Sequence, residues 1–355
     1  MAKSWRHAVV GVGVVGDWHV RVIPQIPGSS LVAVCDPLTD RAKASLDKHC
    51  QPHASVFENL EQMLHDKGDQ IDVVHVCTPS GAHMDPVVQA LEAKKNVICE
   101  KPMEIQLDRI DRMIAAAKQN GVRLAGVFQN RWNQANRQIK RAAEEGRFGT
   151  ISYAGCYTPW YRSDEYYRDG GWRGTIALDG GGAIMNQSVH CVDLLQWIAG
   201  PVKTVSAHAG SRIHAEIEVE DTLACSLQFQ SGAYGVIMGT TGMWPGIAVR
   251  VELGGANGTA VSEDGLKIYK FRDEKPEDLQ LVSQLSSKLA QSTGGGSSPT
   301  DVPADLHAMN INAILRAWDD NRDAETDAPE SRKAVAIILA MYESARRGGV
   351  PIAVQ

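Results

Sequence analysis

Paired cysteines are absent from this sequence. Its seven cysteines are dispersed, with no C-x-x-C and no ligand spacing, which excludes a disulfide scaffold and a cysteine metal site. Cys35, Cys77, Cys99 and Cys225 fall in apolar, strand-like runs and are expected to be buried, reduced thiols. The eleven histidines likewise show no paired-ligand spacing, so no metal site is expected. No apolar run approaches the ~20 residues that span a bilayer. The opening Met1–His7 leads straight into a strand, leaving no room for a signal peptide. Excess basic charge is missing too: a net charge of −6 gives no electrostatic case for nucleic acid or an anionic membrane. These absences point to a cytoplasmic protein.

What is present is an ordinary globular composition, 43% hydrophobic and 22% charged, in 355 residues, enough for two domains with proper cores. Short apolar runs at 8–10, 31–35, 73–77, 96–99 and 122–127 alternate with helical patterns near 39–50, 57–66, 81–94 and 106–119. Continuous apolar runs suit strands covered on both faces, and strand–helix alternation predicts right-handed βαβ units in an open parallel sheet. The alternation ends near Val127–Asn130, so an α/β domain is assigned to 1–128. The remainder, 129–355, begins with a helix near 133–145. Strand patterns follow at 202–214, 221–230, 233–241, 247–254, 258–262 and 266–271, and helices near 303–319 and 329–347 close the chain. That order predicts an α+β domain with a large, mostly antiparallel open sheet, the closing helices being free to pack back on the first domain. Its open face suits an oligomer interface. Ser292–Ser298, rich in glycine and serine, reads as a flexible loop.

Gly11-Val12-Gly13-Val14-Val15-Gly16 joins the first strand to the first helix, and Asp36 ends the second strand, ~20 residues on. This is the context in which G-x-G-x-x-G binds a dinucleotide. Gly11 permits the tight turn, Gly13 admits the pyrophosphate to backbone N–H groups, and Gly16 lets helix and strand approach. Asp36 would accept from the ribose hydroxyls and repel a 2′-phosphate, which favours NAD over NADP, with Arg41 the counter-argument. Pro24 falls within the expected helix, which should end or kink near Ile23. Two further strand ends carry polar groups, Thr78-Pro79-Ser80-Gly81-Ala82-His83 and Glu100-Lys101-Pro102, at the edge where open α/β sheets bind ligands.

Gly180-Gly181-Gly182 opens an amphipathic helical pattern carrying Asn186, His190 and Asp193. Asn186 and His190, four apart, share a helical face, and Asp193 either orients His190 or pairs elsewhere. Trp160, Tyr161, Tyr166, Tyr167 and Trp172, interleaved with charges, suit a sugar or an ordinary covering loop. Arg131 would hold a substrate anion or salt-bridge within the domain.

With the Gly11–Gly16 turn, Glu100-Lys101-Pro102, Gln129-Asn130-Arg131-Trp132, Trp172-Arg173-Gly174 and the triple-glycine helix together, the whole chain resembles the Gfo/Idh/MocA oxidoreductases. The resemblance implies a nicotinamide enzyme acting on sugars, sugar acids or cyclitols, a homodimer or homotetramer through the second domain's sheet, and a histidine acid/base, falling on His190. It puts Lys101 beside the reacting hydroxyl. Where many members have aspartate, Asn186 stands, able to position but not to hold a proton. The cofactor set expected is Gly11, Gly13, Val14, Val15, Gly16, Asp36, Thr78, Pro79, His83, Glu100, Lys101, Asn130, Trp172 and Arg173. The substrate set is Lys101, Arg131, Tyr157, Trp160, Asn186 and His190. Histidine suits the base because its pKa lies near working pH. Two alternatives stand beside a dehydrogenase: a lyase or glycoside-cleaving enzyme that recycles NAD through transient oxidation, and a non-catalytic dinucleotide sensor.

Overall fold

A computed structural model describes residues 4–287 and 304–355. The expected Ser292–Ser298 loop lies outside the described residues. The chain divides into two units, residues 4–129 with 304–332, and residues 130–287 with 333–355.

The first unit runs β1 (Trp5–Val10), α1 (Val14–Val22), β2 (Ser29–Cys35), α2 (Thr39–Lys48), β3 (Ser55–Phe57), α3 (Leu60–Lys67), β4 (Val73–Val76), α4 (Met84–Glu92), β5 (Asn96–Cys99), α5 (Leu107–Asn120) and β6 (Leu124–Gly126). The strands form one parallel sheet in the order β3-β2-β1-β4-β5-β6. The order in which successive strands are added reverses between β1 and β4, the switch point at which such sheets open a ligand crevice. All four β4 residues are buried, as a strand covered on both faces requires. The short β3, Ser-Val-Phe, gives too little apolar run to be read from sequence. Pro24 acts as expected: α1 stops at Val22, and a 3-10 turn over Ile23–Gln25 takes the proline, whose missing N–H costs nothing there.

The second unit contains α6 (Gln134–Glu144), β7 (Ile151–Pro159), α7 (Asp164–Arg168), α8 (Val189–Ala199), β8 (Val202–Gly210), β9 (Thr222–Phe229), β10 (Tyr234–Thr240), β11 (Arg250–Gly255), β12 (Gly258–Glu263), β13 (Leu266–Phe271) and α9 (Pro276–Ser287). From there α10 (Ala304–Asp319) belongs to the first unit, where Ile311, Ile314 and Trp318 pack with Trp5, Val22, Val73 and Ile98. The division between units falls within α11 (Ala328–Arg346), and β14 (Ile352–Ala353) ends the second.

The second sheet has eight strands in the order β13-β12-β11-β7-β10-β9-β8-β14, antiparallel except where β7 runs parallel to β10. Strand β7, which the sequence pattern hides, lies near its middle; Gly155 interrupts its apolar alternation, and glycine weakens strand propensity. Alternate residues of β9 and β10 are buried, so the sheet is covered on one face by α8 and the turn before it. No described helix is long and apolar enough to cross a membrane.

The triple-glycine segment departs from the amphipathic helix expected of it. Ala183–Gln187 forms a π-helical turn, and α8 begins only at Val189. Every α8 residue is buried, so the helix is enclosed all round rather than along one stripe.

Candidate active site

In the first unit the expected cofactor residues gather at the carboxyl ends of β1, β2, β4 and β5. Gly11 has φ +84°, and a Cβ there would lie 2.8 Å from the Cys77 carbonyl oxygen. A Cβ on Gly16 would come within 1.9 Å of the Gly11 oxygen, so only glycine lets α1 start this close to β1. Gly13, the N-cap of α1, has nothing within 4 Å of an added Cβ. This open cradle at the positive end of a helix fits a dinucleotide pyrophosphate. Val14 beside it is exposed and Val15 half-buried.

Asp36, at the end of β2, is fully buried. Its Oδ2 accepts from the Val12 N–H at 2.7 Å and its Oδ1 from the Leu38 N–H at 2.8 Å. The half-exposed Arg41 donates to both oxygens, at 2.8 and 2.6 Å. The carboxylate thus stands where a ribose is expected, with a guanidinium beside it that the sequence offered only as a counter-argument.

His83 ties the two following strand ends together. Its Nε2 lies 2.8 Å from the Thr78 carbonyl and its Nδ1 2.9 Å from that of Pro102. Burial pushes its pKa down against the raising effect of the Thr78 carbonyl and the Glu104 and Glu100 charges, and a neutral imidazole donates to only one of these carbonyls. Thr78 Oγ1 donates to the Ala82 carbonyl, closing the turn that carries Pro79. Lys101 follows Glu100 at a cis bond to Pro102, its backbone N–H 3.1 Å from the Glu100 carboxylate. Burial would raise Glu100, but the His19 hydrogen bond and the His19, His307 and Lys101 charges hold it at about 2.

In the second unit a separate group of candidate residues is built around the triple glycine. A Cβ on Gly182 would sit 1.8 Å from the Glu220 carbonyl oxygen, and one on Gly181 2.0 Å from Tyr342 Oη. The glycines therefore serve close packing inside the protein itself. Glu220 receives this turn: its carboxylate accepts from the Gly182 and Ile184 N–H groups and from Tyr342 Oη, each at 2.9 Å. Burial pushes its pKa up despite those donors. Gly182→Ala is expected to cost about 1–3 kcal/mol or more through overpacking, read as a lowered unfolding midpoint; an unchanged midpoint would show that the turn relaxes freely.

The turn presents Asn186, whose Nδ2 donates to Asp179 Oδ1 at 2.7 Å, while Asp179 Oδ2 accepts from the Gly174 N–H. A buried carboxylate is thus present beside Asn186, seven residues earlier in the chain. Gln187 Nε2 donates to Tyr166 Oη at 3.0 Å, and Arg173 and Arg162 stack on the Tyr166 ring at 4.3 and 5.5 Å. Arg162 also stacks on Trp160. Half-buried Trp172 lies next to Arg173, its carbonyl accepting from Thr175 Oγ1 at 2.6 Å. Arg173 and Gln187 thus meet at Tyr166, and Trp160 joins them through Arg162, while His190, 9% exposed, lies one turn beyond Asn186.

Two of the expected residues are placed elsewhere. Arg131, buried at 1% exposure, forks onto Asp193, with Nε to Oδ2 at 2.7 Å and Nη2 to Oδ1, and lies 5.3 Å from the Trp197 ring centroid. Of the two readings open for it, the salt bridge within the domain is the one observed, and Asp193 is its partner. Tyr157 points to the other face of the sheet: in β7, Cys156 lies against Cys191 of α8, so Tyr157 turns away with Tyr153, its hydroxyl on Glu252 at 3.0 Å. Half-buried Asn130 contributes its carbonyl to Asn136 Nδ2. Asp179, Glu220 and Gln187 were not singled out from sequence. Asp179 had a signal, an acid set directly before three glycines, whereas Glu220, two residues before β9, is far from the turn in sequence and carries none.

Residues 5–128 match the oxidoreductase family profile described as Gfo/Idh/MocA, NAD-binding Rossmann fold, and residues 136–261 match the Gfo/Idh/MocA C-terminal domain. The chain is similar to the WlbA dehydrogenase of Bordetella pertussis, solved in complex with NADH and UDP-GlcNAcA. The identity is 30%, the TM-score 0.86 and the coverage 99% of each chain. It is also similar to the myo-inositol 2-dehydrogenase of Thermotoga maritima, 28% identical over 265 residues, 73% of this chain and 75% of that protein. The uncharacterized oxidoreductase YrbE of Bacillus subtilis is 29% identical over 270 residues, 74% and 75% of the two chains.

Proposed function

The chain belongs to the Gfo/Idh/MocA oxidoreductases, and from that membership we propose that it transfers hydride between NAD and a secondary alcohol of a sugar, sugar acid or cyclitol. The observation that carries this reading is the open cradle at Gly13, the head of α1, beside the buried Asp36 carboxylate. When bound, the nicotinamide supplies the hydride acceptor. His190 takes the hydroxyl proton, and the Lys101 cation stabilises the developing alkoxide. Asn186 orients the hydroxyl; its amide is itself fixed by donation to Asp179, so it positions without titrating. His83, set between the Thr78 and Pro102 carbonyls and donating to one of them, helps to hold the loop that it bonds in place.

NAD is the preferred cofactor because a second negative charge at the ribose meets the Asp36 carboxylate. Arg41 offsets part of that repulsion. Asp36→Ala is expected to weaken NAD binding about 10–100-fold, the worth of one or two hydrogen bonds to a charged group. Titration of tryptophan fluorescence reads the loss, and an unchanged affinity would remove Asp36 from the cofactor site.

A nucleotide-linked sugar acid is the first substrate to test. The Bordetella relative was solved with UDP-GlcNAcA, and here Arg162 and Arg173 flank Tyr166 with aromatic faces between them, cations for an anionic sugar and rings for its C–H face. Purified protein with NAD and UDP-GlcNAcA should form NADH, followed by absorbance, with myo-inositol and glucosides run beside it. Product without net NADH would favour NAD recycling. Neither product nor NADH from any of them would contradict the proposed substrate class.

A further inference from the structure

Three histidines and a glutamate form a continuous polar chain through the interior of the first unit, where aliphatic side chains would fill the same space more cheaply. His7, His19 and His75 are fully buried, and Glu100 is 4% exposed. The strand register explains their meeting. His7 of β1 pairs with Val73 of β4 and Val9 with His75, so the two rings lie diagonally on one face of the sheet. On α1, which packs with α10, His19 adds its ring to theirs.

Four hydrogen bonds link them end to end. His7 Nε2 lies 3.1 Å from Ser29 Oγ, and His7 Nδ1 lies 2.8 Å from His75 Nε2. His75 Nδ1 lies 2.9 Å from His19 Nδ1, and His19 Nε2 lies 2.9 Å from Glu100 Oε1. All six ring nitrogens are used. One end is the half-exposed Ser29 at the start of β2, the amino edge of the sheet; the other is the carboxylate preceding Lys101 at the carboxyl edge. The rings are not grouped for metal binding: among the described residues no three His, Cys, Asp or Glu side chains are placed to hold an ion.

The ionised end sets the polarity of the whole chain. Glu100 accepts only, so with all three rings neutral His19 donates from Nε2 and accepts at Nδ1, His75 donates from Nδ1 and accepts at Nε2, and His7 does the same, accepting from Ser29. Burial pushes His7 down to about 3 and His75 lower than its ordinary value, so both rings are neutral at pH 7. The other groups facing the chain are Asp72, which pairs with Arg6 and raises His7, and His307 of α10 with Lys101, which act on Glu100. His307 is 3.8 Å from Glu100 and stacks edge-on against Trp18.

We infer that Ser29–His7–His75–His19–Glu100 is a proton wire that exchanges protons between solvent and the Lys101 end of the nucleotide-binding unit. Its catalytic use rests on the proposed oxidoreductase reading; its conduction does not. In one passage Ser29 gives its proton to His7 Nε2, His7 Nδ1–H passes to His75 Nε2, His75 Nδ1–H to His19 Nδ1, and His19 Nε2–H to Glu100 Oε1. Ser29 is reprotonated by water. With that last step, five bonds to hydrogen break and five form, no electrons change hands, hydroxide is left in solvent, and the net result is one proton moved from solvent to Glu100. The opposite sequence, from the reversed polarity, exports the proton released by alcohol oxidation.

The test uses the whole protein with NADH bound and histidine labelled with nitrogen-15. The wire requires His7 and His75 as Nδ1–H tautomers and His19 as the Nε2–H tautomer. It also requires the His75 and His19 ring protons to exchange with water far faster than backbone amides of the same core. His7→Gln, which cuts the chain near its solvent end, should slow that exchange at His75 and His19 by at least about 10-fold. His307→Gln, adjacent but off the chain, should leave it unchanged and controls for loosened packing. Protection of the wild-type ring protons equal to that of the core amides, or equal exchange in wild type and His7→Gln, overturns the wire. Neither result depends on a substrate, so failure of the oxidoreductase reading is recognised separately, by absence of NADH formation. With a turned-over substrate, His75→Gln should lower kcat and raise its solvent isotope effect without changing NADH affinity. An unchanged isotope effect would sever the wire from catalysis.

Discussion

Replacing His190 with alanine is expected to lower turnover by about 10²–10⁴-fold, the range of a lost general acid–base group, while NAD affinity stays within a few-fold of wild type. Lys101→Ala should fall in the same range, because an alkoxide without its cation loses the electrostatic stabilisation on which proton removal depends. Steady-state kinetics beside a binding titration separates the two roles. His190 belongs to the α8 segment, enclosed on every side, so a conservative His190→Gln variant with an unchanged unfolding midpoint guards against a folding artefact. Asn186→Asp makes the complementary case. The new carboxylate would face Asp179, now the acceptor of the Asn186 amide at 2.7 Å, and two acids at that distance cannot both ionise. Activity in Asn186→Asp should therefore acquire a new pH dependence, and an unaltered profile would place residue 186 outside the proton's surroundings.

The second large effect concerns stability. Arg131 and Asp193 form a forked ion pair with 1% exposure on each side chain. Removing one partner takes the forked pair from the other charge in the interior, and Arg131→Met or Asp193→Leu is expected to cost about 3–5 kcal/mol. Trp197 lies over the guanidinium, so methionine retains some packing at that site. The double variant Arg131→Met/Asp193→Leu should recover a large part of the loss, because both charges of the pair are then removed together. Chemical denaturation followed by calorimetry reads each variant. A single variant losing under about 1 kcal/mol would mean that water reaches the pair.

How far the sequence reveals this molecule depends on the range of the signal. The parallel sheet is legible because continuous apolar runs and intervening 3.6-residue patterns are local, and Pro24 marks the end of α1 for the same reason. Strand β3 is three residues long and β7 is broken by Gly155, so neither carries a periodic signature. The triple glycine was legible as a close approach, but what approaches it, Glu220 and Tyr342, arrives from β9's leading edge and from α11. The π-helical turn at Ala183–Gln187 follows from that same anchoring and has no local pattern. Tyr157 illustrates the opposite failure: an aromatic in the right neighbourhood of the chain, turned to the wrong face by the period of a strand that could not be seen. The histidine chain is the extreme case, since His7, His19, His75 and Glu100 are spread over β1, α1, β4 and the end of β5 and meet only through sheet register and helix packing.

Hydride transfer from a carbinol carbon to the nicotinamide, with His190 removing the hydroxyl proton, is tested most directly by isotope tracing. Substrate deuterated at the reacting carbon, whether UDP-GlcNAcA or the polyol that yields NADH, is turned over with NAD, and the NADH is analysed by mass spectrometry and NMR. The predicted result is one deuterium at nicotinamide C4, formed by the wild type and not by His190→Ala on the same timescale. NADH without deuterium, an equal yield from the variant, or no NADH from any of the substrates would contradict it.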